Sequence, residues 1–198
     1  MNIAPVCIAL VGPTASGKTS ASLDVARILN CEVISADSRQ VYRLLDIGTA
    51  KPTIEDQSIC THHFVDYVGP DESYSAGIFA KAALPVVNNL FNTHKIPLIV
   101  GGSGLYIQAL CEGFFDEPAS NQNTSQIRLQ LNERLHLEGK DILYDELTEV
   151  DVISAKKYLD KNPRRIIRAL EFYYTYGIPF SQAHSEHIHT GENQFRTL

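Results

Sequence analysis

Residues 12–19 read Gly12-Pro13-Thr14-Ala15-Ser16-Gly17-Lys18-Thr19, a GxxxxGKT sequence that follows an apolar run over residues 6–11 and precedes a helical pattern. The glycines of such a loop let backbone N–H groups converge on an anion, and the helix adds the positive end of its dipole. Lys18 contributes a point charge. The stretch therefore predicts a binding site for a phosphate or pyrophosphate group, the alternative being a chance glycine-rich turn.

The surrounding sequence predicts an α/β fold, a P-loop NTPase-like core with a parallel sheet covered by helices. Short β-branched runs alternate with helical segments, which is the pattern of such sheets. We expect strands at residues 6–11, 32–36, 64–68 and 97–100, and helices at residues 18–29 and 75–91, the second one capped by Ser75. Ligands of open parallel sheets bind beyond the carboxyl ends of the strands, so residues 12–19, Asp37 and residues 101–104 should lie together.

The sequence changes character after residue 115. Residues 116–125 are rich in Pro, Ser, Asn and Gln and predict a linker, and helical patterns follow. The strongest helix opens at Asn162-Pro163 and ends before Gly177. We expect a P-loop catalytic core over residues 1–115, a small all-helical insertion domain over residues 116–160, and, over residues 161–198, a basic helix that returns to the core and a polar C-terminal tail.

Composition limits the class of protein. A chain of 198 residues with 44% apolar content can bury one sizeable core. The net charge of −6 argues against a general nucleic-acid binder, but basic residues cluster around residues 156–168 and either bind phosphates or form a solvated helix face. No apolar run approaches the roughly 20 residues that span a bilayer, and no secretory leader is recognisable, so we expect a cytoplasmic protein without membrane contact.

Further segments narrow the function. Residues 35–42 read SADSRQVY, residues 46–52 read DIGTAKP, residues 100–106 read VGGSGLY and residues 162–171 read NPRRIIRALE. Together with the loop at residues 12–19, the order and spacing of these segments resemble the tRNA dimethylallyltransferase family, the isopentenyl-pyrophosphate transferases.

This resemblance implies transfer of a dimethylallyl group from dimethylallyl pyrophosphate to N6 of the adenosine just 3′ of the anticodon, with release of pyrophosphate. It implies that residues 12–19 bind the pyrophosphate, that Thr19 helps to bind Mg²⁺, and that the Ser103 hydroxyl reaches the bridging oxygen of the leaving group. Asp37 is then the general base toward the adenine amine. From the residues alone, Asp37 can equally be a helix N-cap.

The resemblance also implies a partner, the anticodon arm of tRNA. The residues expected to contact it are Asp37, Ser38, Arg39, Gln40, Ser103, Arg128, Arg164, Arg165 and Arg168. We expect the target adenosine to be flipped out of the arm, with phosphate contacts of the arginines offsetting the cost. Family members usually continue beyond the length of this chain, so their C-terminal helices are expected to be absent, and we expect a monomer.

Other functions remain open at this point. A small-molecule P-loop kinase also needs the loop and a nearby carboxylate, but Gly101-Gly102-Ser103 stands where a Walker-B aspartate is expected. A non-catalytic nucleotide switch would not need Asp37 and Ser103 together. A cytokinin-type isopentenyltransferase acting on free adenylate would not need the arginine cluster. The pair His62-His63 is interpreted as packed or surface histidines and not as a metal site.

Overall fold

A computed structural model describes residues 5–113, 122–188 and 196–197 of the protein. The chain divides into two compact units, the first formed by residues 1–114 with 191–198 and the second by residues 115–190. Within the described ranges, none of the helices has both the length and the apolar content needed to cross a lipid bilayer.

Among the described residues, the first unit is built on a parallel sheet of five strands in the order β3-β2-β4-β1-β5. The strands are β1 (Val6–Val11), β2 (Cys31–Ser35), β3 (His62–His63), β4 (Ile96–Gly101) and β5 (Arg196–Thr197). Because β4 pairs with β1 on one side and with β2 on the other, the carboxyl ends of these three strands lie next to one another. The strand predicted at residues 6–11 is confirmed, and those predicted at 32–36 and 97–100 are confirmed to within one residue.

Helices cover both faces of this sheet, as predicted. They are α1 (Lys18–Ile28), α2 (Ile54–Ile59), α3 (Ala76–Asn92) and α4 (Gly104–Glu112). Successive residues of a strand point to opposite faces, so Val33 packs toward Val25 of α1 while Ile34 packs in the cluster that contains Phe79 of α3. The hydroxyl of Ser75 accepts a hydrogen bond from the backbone N–H of Ile78, which confirms the predicted N-cap.

The strand predicted at residues 64–68 is wrong. β3 ends at His63, because Phe64 and Asp66 have left-handed backbones with φ of 64° and 53°, which extended strands exclude. The N–H groups of Tyr67 and Val68 donate instead to the carbonyl oxygen of Val41, at 2.8 and 3.0 Å. Tyr67 and Val68 therefore bind the loop that follows β2 through their backbones and do not extend the sheet.

The second unit is helical. It contains α5 (Gln122–Glu138), α6 (Lys140–Val150), α7 (Val152–Lys157), α8 (Pro163–Tyr176) and α9 (Phe180–Ile188). Residues 122–125 of the predicted linker belong to α5, while residues 116–121 lie outside the described residues. Ile166 and Leu170 of α8, the basic helix, pack with Leu131 of α5 and Leu143 of α6, so this helix belongs to the second unit. The polar C-terminal tail, in which the sequence shows no clear helical or strand pattern, includes α9.

One buried carboxylate joins two helices of this unit. Asp151, only 3% exposed, caps α7 and accepts hydrogen bonds from the N–H and hydroxyl groups of both Ser154 and Ser181. Burial by itself raises the pKa of Asp151, but these hydrogen bonds outweigh it and hold the pKa below the ordinary value. The carboxylate therefore stabilises the fold fully above the unfolded-state pKa, and this stabilisation is lost as the pH falls through the folded-state pKa.

We expect Asp151→Asn to lower the free energy of unfolding at pH 7 by about 1–3 kcal/mol. Each oxygen of Asp151 accepts from one backbone N–H and one hydroxyl, so the new amide, whichever oxygen it replaces, presents a donor to a backbone N–H. Urea unfolding at pH 7 and at pH 3 measures this, and the difference from the wild type should shrink at the lower pH. Glu149→Gln, at an exposed position on α6, is the control. An Asp151→Asn protein as stable as the wild type at pH 7 would contradict the prediction.

Candidate active site

The loop between β1 and α1 has the geometry of an anion site. Ala15 and Gly17 have left-handed backbones, with φ of 64° and 80°, a conformation that turns successive N–H groups toward one concave side. Gly17 precedes α1 and gives it no side-chain cap, so the first turn of the helix points its N–H groups into the loop. The ammonium group of Lys18 lies across the loop and donates to the carbonyl oxygen of Pro13 at 2.5 Å.

The ends of β2 and β4 meet beside this loop in a very close backbone approach. A Cβ atom placed on Gly101 would lie 2.1 Å from the carbonyl oxygen of Ala36, so no side chain fits there. The N–H of Ser103 donates to the same Ala36 oxygen at 3.2 Å, and the N–H of Ser38 donates to the Ser103 hydroxyl at 2.9 Å. Asp37 lies between Ala36 and Ser38 in the chain. The structure therefore brings the predicted pair Asp37 and Ser103 together at the strand ends.

The carboxylate of Asp37 is half-buried and held by its own turn. Its Oδ1 atom accepts hydrogen bonds from the backbone N–H groups of Arg39 at 2.8 Å and Gln40 at 3.3 Å. Asp37 can therefore be both a cap and a general base, because one of its oxygens caps the turn while the side chain also lines the cavity described next. The capping bonds fix the orientation of the carboxylate.

A cavity of about 330 Å³ opens beside the loop. Its lining includes the following residues: Thr14, Ala15, Ser16, Gly17, Lys18, Thr19, Ser22, Val33, Ser35, Asp37, Gln40, Thr49, Ala50, Pro52, His62, Val100 and Gly101. One wall is the loop between β1 and α1, and another carries the carboxylate of Asp37. A molecule with a phosphate group at one end thus meets a proton acceptor in the same cavity.

The segment after β2, which lines part of this cavity, is held in place by side-chain hydrogen bonds and ion pairs. The side-chain amide of Gln40 donates to the carbonyl oxygens of Thr49 at 3.1 Å and Ala50 at 2.8 Å, so Gln40, expected to contact tRNA, binds its own loop. Lys51, whose side chain is 8% exposed, forms ion pairs with Asp46 and Asp66 at 2.7 and 2.6 Å. Ser38 and Arg39, by contrast, are exposed at the start of the loop.

His62 is a cavity residue that sequence reasoning missed. It pairs opposite Val33 of β2, which places it on the wall of the cavity. Its Nδ1 atom lies 3.0 Å from the carbonyl oxygen of Cys60, which can only accept, so Nδ1 carries the proton. Burial lowers the pKa of His62, which favours the neutral ring. The neighbouring His63 points elsewhere and pairs with Glu32 at 2.7 Å.

The arginines expected to bind tRNA differ in their surroundings. Arg164 is exposed at the start of α8, and the guanidinium of Arg165 lies 5.9 Å from the centre of the Tyr158 ring and 3.6 Å from Asp160. Arg128 and Arg168 both donate to Glu171. All four belong to the second unit.

Known proteins show clear similarity to this chain. A model of the IPP transferase family matches residues 40–198. A tRNA dimethylallyltransferase of Desulfotalea psychrophila is 43% identical over 194 residues, which is 98% of this chain and 60% of that protein. A protein of the same description from Roseiflexus castenholzii is 44% identical, over 90% of this chain and 58% of its own length. The chain thus spans about 60% of the length of these curated relatives.

Solved structures agree with these matches. A tRNA delta(2)-isopentenylpyrophosphate transferase from Staphylococcus epidermidis is similar with a TM-score of 0.57 and 39% identity, over 98% of this chain and 62% of that one. A eukaryotic dimethylallyltransferase acting on tRNA gives a TM-score of 0.75 and 30% identity, over 92% and 44% of the two chains. Family model, relatives and structures all lead to one assignment: the chain belongs to the IPP transferase family.

Proposed function

We propose that this protein transfers a dimethylallyl group from dimethylallyl pyrophosphate to N6 of the adenosine 3′ of the anticodon in tRNA. The observation that carries the proposal is the joint position of Asp37 and Ser103, held through Ala36 and Ser38, beside a cavity that Asp37 lines together with the loop at residues 14–19. The relatives named for this reaction support it. The proposal includes a monomeric enzyme that works where tRNA is found, in the cytoplasm.

The leaving group is stabilised by donors that are already in position. An allylic pyrophosphate ionises when the negative charge of the departing pyrophosphate is balanced. The N–H groups of residues 14–19 and the ammonium of Lys18 supply that balance. The Ser103 hydroxyl accepts from Ser38, and its own hydrogen remains available for the bridging oxygen.

Asp37 completes the reaction. The N6 amine forms a bond to C1 of the dimethylallyl group while the bond from C1 to the pyrophosphate oxygen breaks. The amine then carries a positive charge, and its proton passes to the carboxylate of Asp37. Because backbone N–H groups hold Oδ1, we assign the proton transfer to Oδ2.

The donor set of the cavity fits a magnesium ion. Among the described residues there is no cluster of three or more His, Cys, Asp or Glu side chains that would form an all-protein metal site. Mg²⁺ usually keeps several waters and binds through one or two protein oxygens plus substrate phosphates, so a single hydroxyl in a phosphate site is appropriate. Thr19 would hold the ion, which when bound neutralises charge on the pyrophosphate.

A nucleoside assay tests the proposal. The protein is incubated with dimethylallyl pyrophosphate, Mg²⁺ and an anticodon-arm RNA, with AMP and ATP in parallel reactions, and the nucleosides are analysed by mass spectrometry. We expect dimethylallyladenosine from the RNA. Product from AMP alone would assign the chain to free-adenylate transferases, and ATP-dependent phosphorylation would assign it to kinases; either result overturns the proposal.

We expect Lys18→Met to raise the KM for dimethylallyl pyrophosphate by about 10- to 100-fold, because a charged contact to the pyrophosphate is lost. Steady-state kinetics at saturating RNA measures the change. Lys140→Met, at an exposed position in the second unit, is the control and should leave the KM unaltered. An unchanged KM in Lys18→Met would exclude the loop as the pyrophosphate site.

A further inference from the structure

Three exposed apolar residues lie in the segment after β2. We call Leu44, Leu45 and Ile47 the apolar tip; they are 80%, 44% and 99% exposed. Single exposed apolar residues are ordinary, but three within residues 44–47 concentrate apolar surface in one short stretch. The carbonyl oxygen of Leu45 accepts a hydrogen bond from the hydroxyl of Thr49 at 2.6 Å, and Thr49 lines the cavity. The apolar tip therefore adjoins the candidate active site.

The backbone of Leu44 has an unfavourable conformation. Its φ of 66° lies in the left-handed region, where the Cβ atom of an L-residue is crowded. Such a conformation persists only where the surrounding structure enforces it. The N–H of Arg43 donates to the carbonyl oxygen of Val68 at 2.9 Å, and the ammonium of Lys51 donates to the carbonyl oxygen of Tyr42 at 2.8 Å. These bonds fix the chain just before Leu44, as the bond to the next residue fixes it just after.

Packing inside the protein does not account for this leucine. A buried leucine would offset the unfavourable φ through apolar contacts, but Leu44 lies largely in water. An unfavourable backbone at an exposed residue beside a cavity points to a contact with another molecule. A nearby cation favours RNA as that molecule: Arg39 is exposed, and its carbonyl oxygen accepts from the N–H of Tyr42 in the same turn, at 3.2 Å.

Base flipping provides a use for an apolar surface at this place. When the target adenosine leaves the stack of the anticodon loop, it loses stacking energy and leaves a gap between the neighbouring bases. Proteins that unstack nucleic acids often insert aliphatic side chains between bases. A side chain on a backbone that is already fixed loses less freedom on insertion than one on a mobile loop.

We propose that the apolar tip is an RNA wedge, in which Leu44 fills the place of the target adenosine while that base occupies the cavity. The inference rests on the proposed function, since it requires RNA as the substrate. Leu44 contacts the bases on either side of the gap and takes no part in proton or group transfer. The binding of dimethylallyl pyrophosphate should therefore not depend on Leu44.

The decisive variant is Leu44→Asn, because asparagine accepts a left-handed backbone but lacks the apolar surface. We expect the melting temperature to be unchanged or raised by up to about 4 °C, since an unfavourable φ is relieved. The affinity for RNA should nevertheless fall by about tenfold, as the loss of a buried leucine contact would give. Fluorescence anisotropy with a labelled anticodon-arm RNA measures this. The KM for dimethylallyl pyrophosphate should stay within about twofold.

An RNA with 2-aminopurine at the target position reports flipping directly. The fluorescence of this base rises when it leaves the stack. Among the described residues, none that lines the cavity is Phe, Tyr or Trp, whose rings would quench the signal. At saturating protein, we expect the rise with Leu44→Asn to be smaller than with the wild type by about threefold or more, because the unfilled gap favours return of the base to the stack.

Leu44→Met and Ile28→Asn are the controls. Methionine keeps an apolar side chain, so Leu44→Met should retain RNA affinity within about threefold. Ile28, at the end of α1, is 81% exposed and thus matches Leu44 in exposure. Ile28→Asn should alter neither the affinity nor the 2-aminopurine signal. Thermal melts separate folding from binding, and Leu44→Gly, which also relieves the backbone, replaces Leu44→Asn if that variant is unstable.

The outcomes are distinct. Weaker binding and a smaller fluorescence rise in Leu44→Asn, with both retained in the two controls, support the proposal. Any other pattern refutes it while the proposed function stands, provided that the wild type alkylates RNA. Weaker binding with an unchanged rise would make Leu44 a contact outside the gap, and a loss of self-association in sedimentation, with RNA affinity unchanged, would make the tip a contact between copies of the chain. If the wild type neither binds nor alkylates RNA, the proposed function and this inference fail together.

Discussion

Asp37→Asn is expected to reduce the rate of RNA alkylation by about 10²- to 10⁴-fold without unfolding the protein. The asparagine oxygen can still accept the hydrogen bonds from the N–H groups of Arg39 and Gln40, so the turn after β2 should persist. What the variant lacks is a basic oxygen to take the proton of the adenine amine. Single-turnover alkylation, followed by mass spectrometry, measures the rate, and circular dichroism confirms the fold.

Asp46→Asn is the matched control for this loss. Asp46 belongs to the same segment, but it pairs with Lys51 and does not line the cavity. Lys51 keeps its second partner, Asp66, so the segment should remain in place. We expect alkylation within about threefold of the wild type, because the Asp46 carboxylate is itself exposed and the loss of an exposed carboxylate from an ion pair has a small effect. If Asp37→Asn retained wild-type alkylation, Asp37 would be a cap only and the general base would have to be sought elsewhere.

Gly101→Ala is expected to destabilise the first unit by about 3 kcal/mol or more and to abolish alkylation. The added Cβ would lie 2.1 Å from the carbonyl oxygen of Ala36, and since that atom is main chain, the strand ends must separate. The same movement displaces Asp37 from the wall of the cavity. Urea unfolding and the alkylation assay on the same preparation measure both effects.

Gly104→Ala provides the comparison, three residues along the chain. A Cβ on Gly104 has no neighbour within 4 Å among the atoms considered, and the residue begins α4. We expect stability to be unchanged or raised by up to about 1 kcal/mol. A Gly101→Ala protein as stable as Gly104→Ala would mean that β2 and β4 do not approach as closely as the structure indicates.

The parts of the site that the sequence predicts are those determined locally. The loop at residues 12–19 is a short continuous motif, and the Asp37 and Ser103 segments each directly follow a strand. Parallel strands bring such segments to one edge of the sheet regardless of strand order. For this reason the expected meeting of loop, Asp37 and Ser103 is found in the structure.

The parts that the sequence does not predict depend on distant pairing. The place of His62 on the cavity wall follows from its register opposite Val33, and no local pattern specifies a register. The partners of Glu171 follow from the packing of α5 against α8, which the separate helical patterns do not reveal. The strand predicted at residues 64–68 failed for a related reason, because left-handed residues and hydrogen bonds to a distant loop override β propensity there.

The most direct measurement of the central claim compares two anticodon-arm RNAs that differ at one base, adenosine or inosine just 3′ of the anticodon. Inosine has an oxygen in place of the N6 amine. With dimethylallyl pyrophosphate and Mg²⁺, we predict N6-dimethylallyladenosine from the first RNA, release of one pyrophosphate per product, and no alkylation of the second. Equal alkylation of both RNAs, or pyrophosphate release without a modified adenosine, would contradict the account.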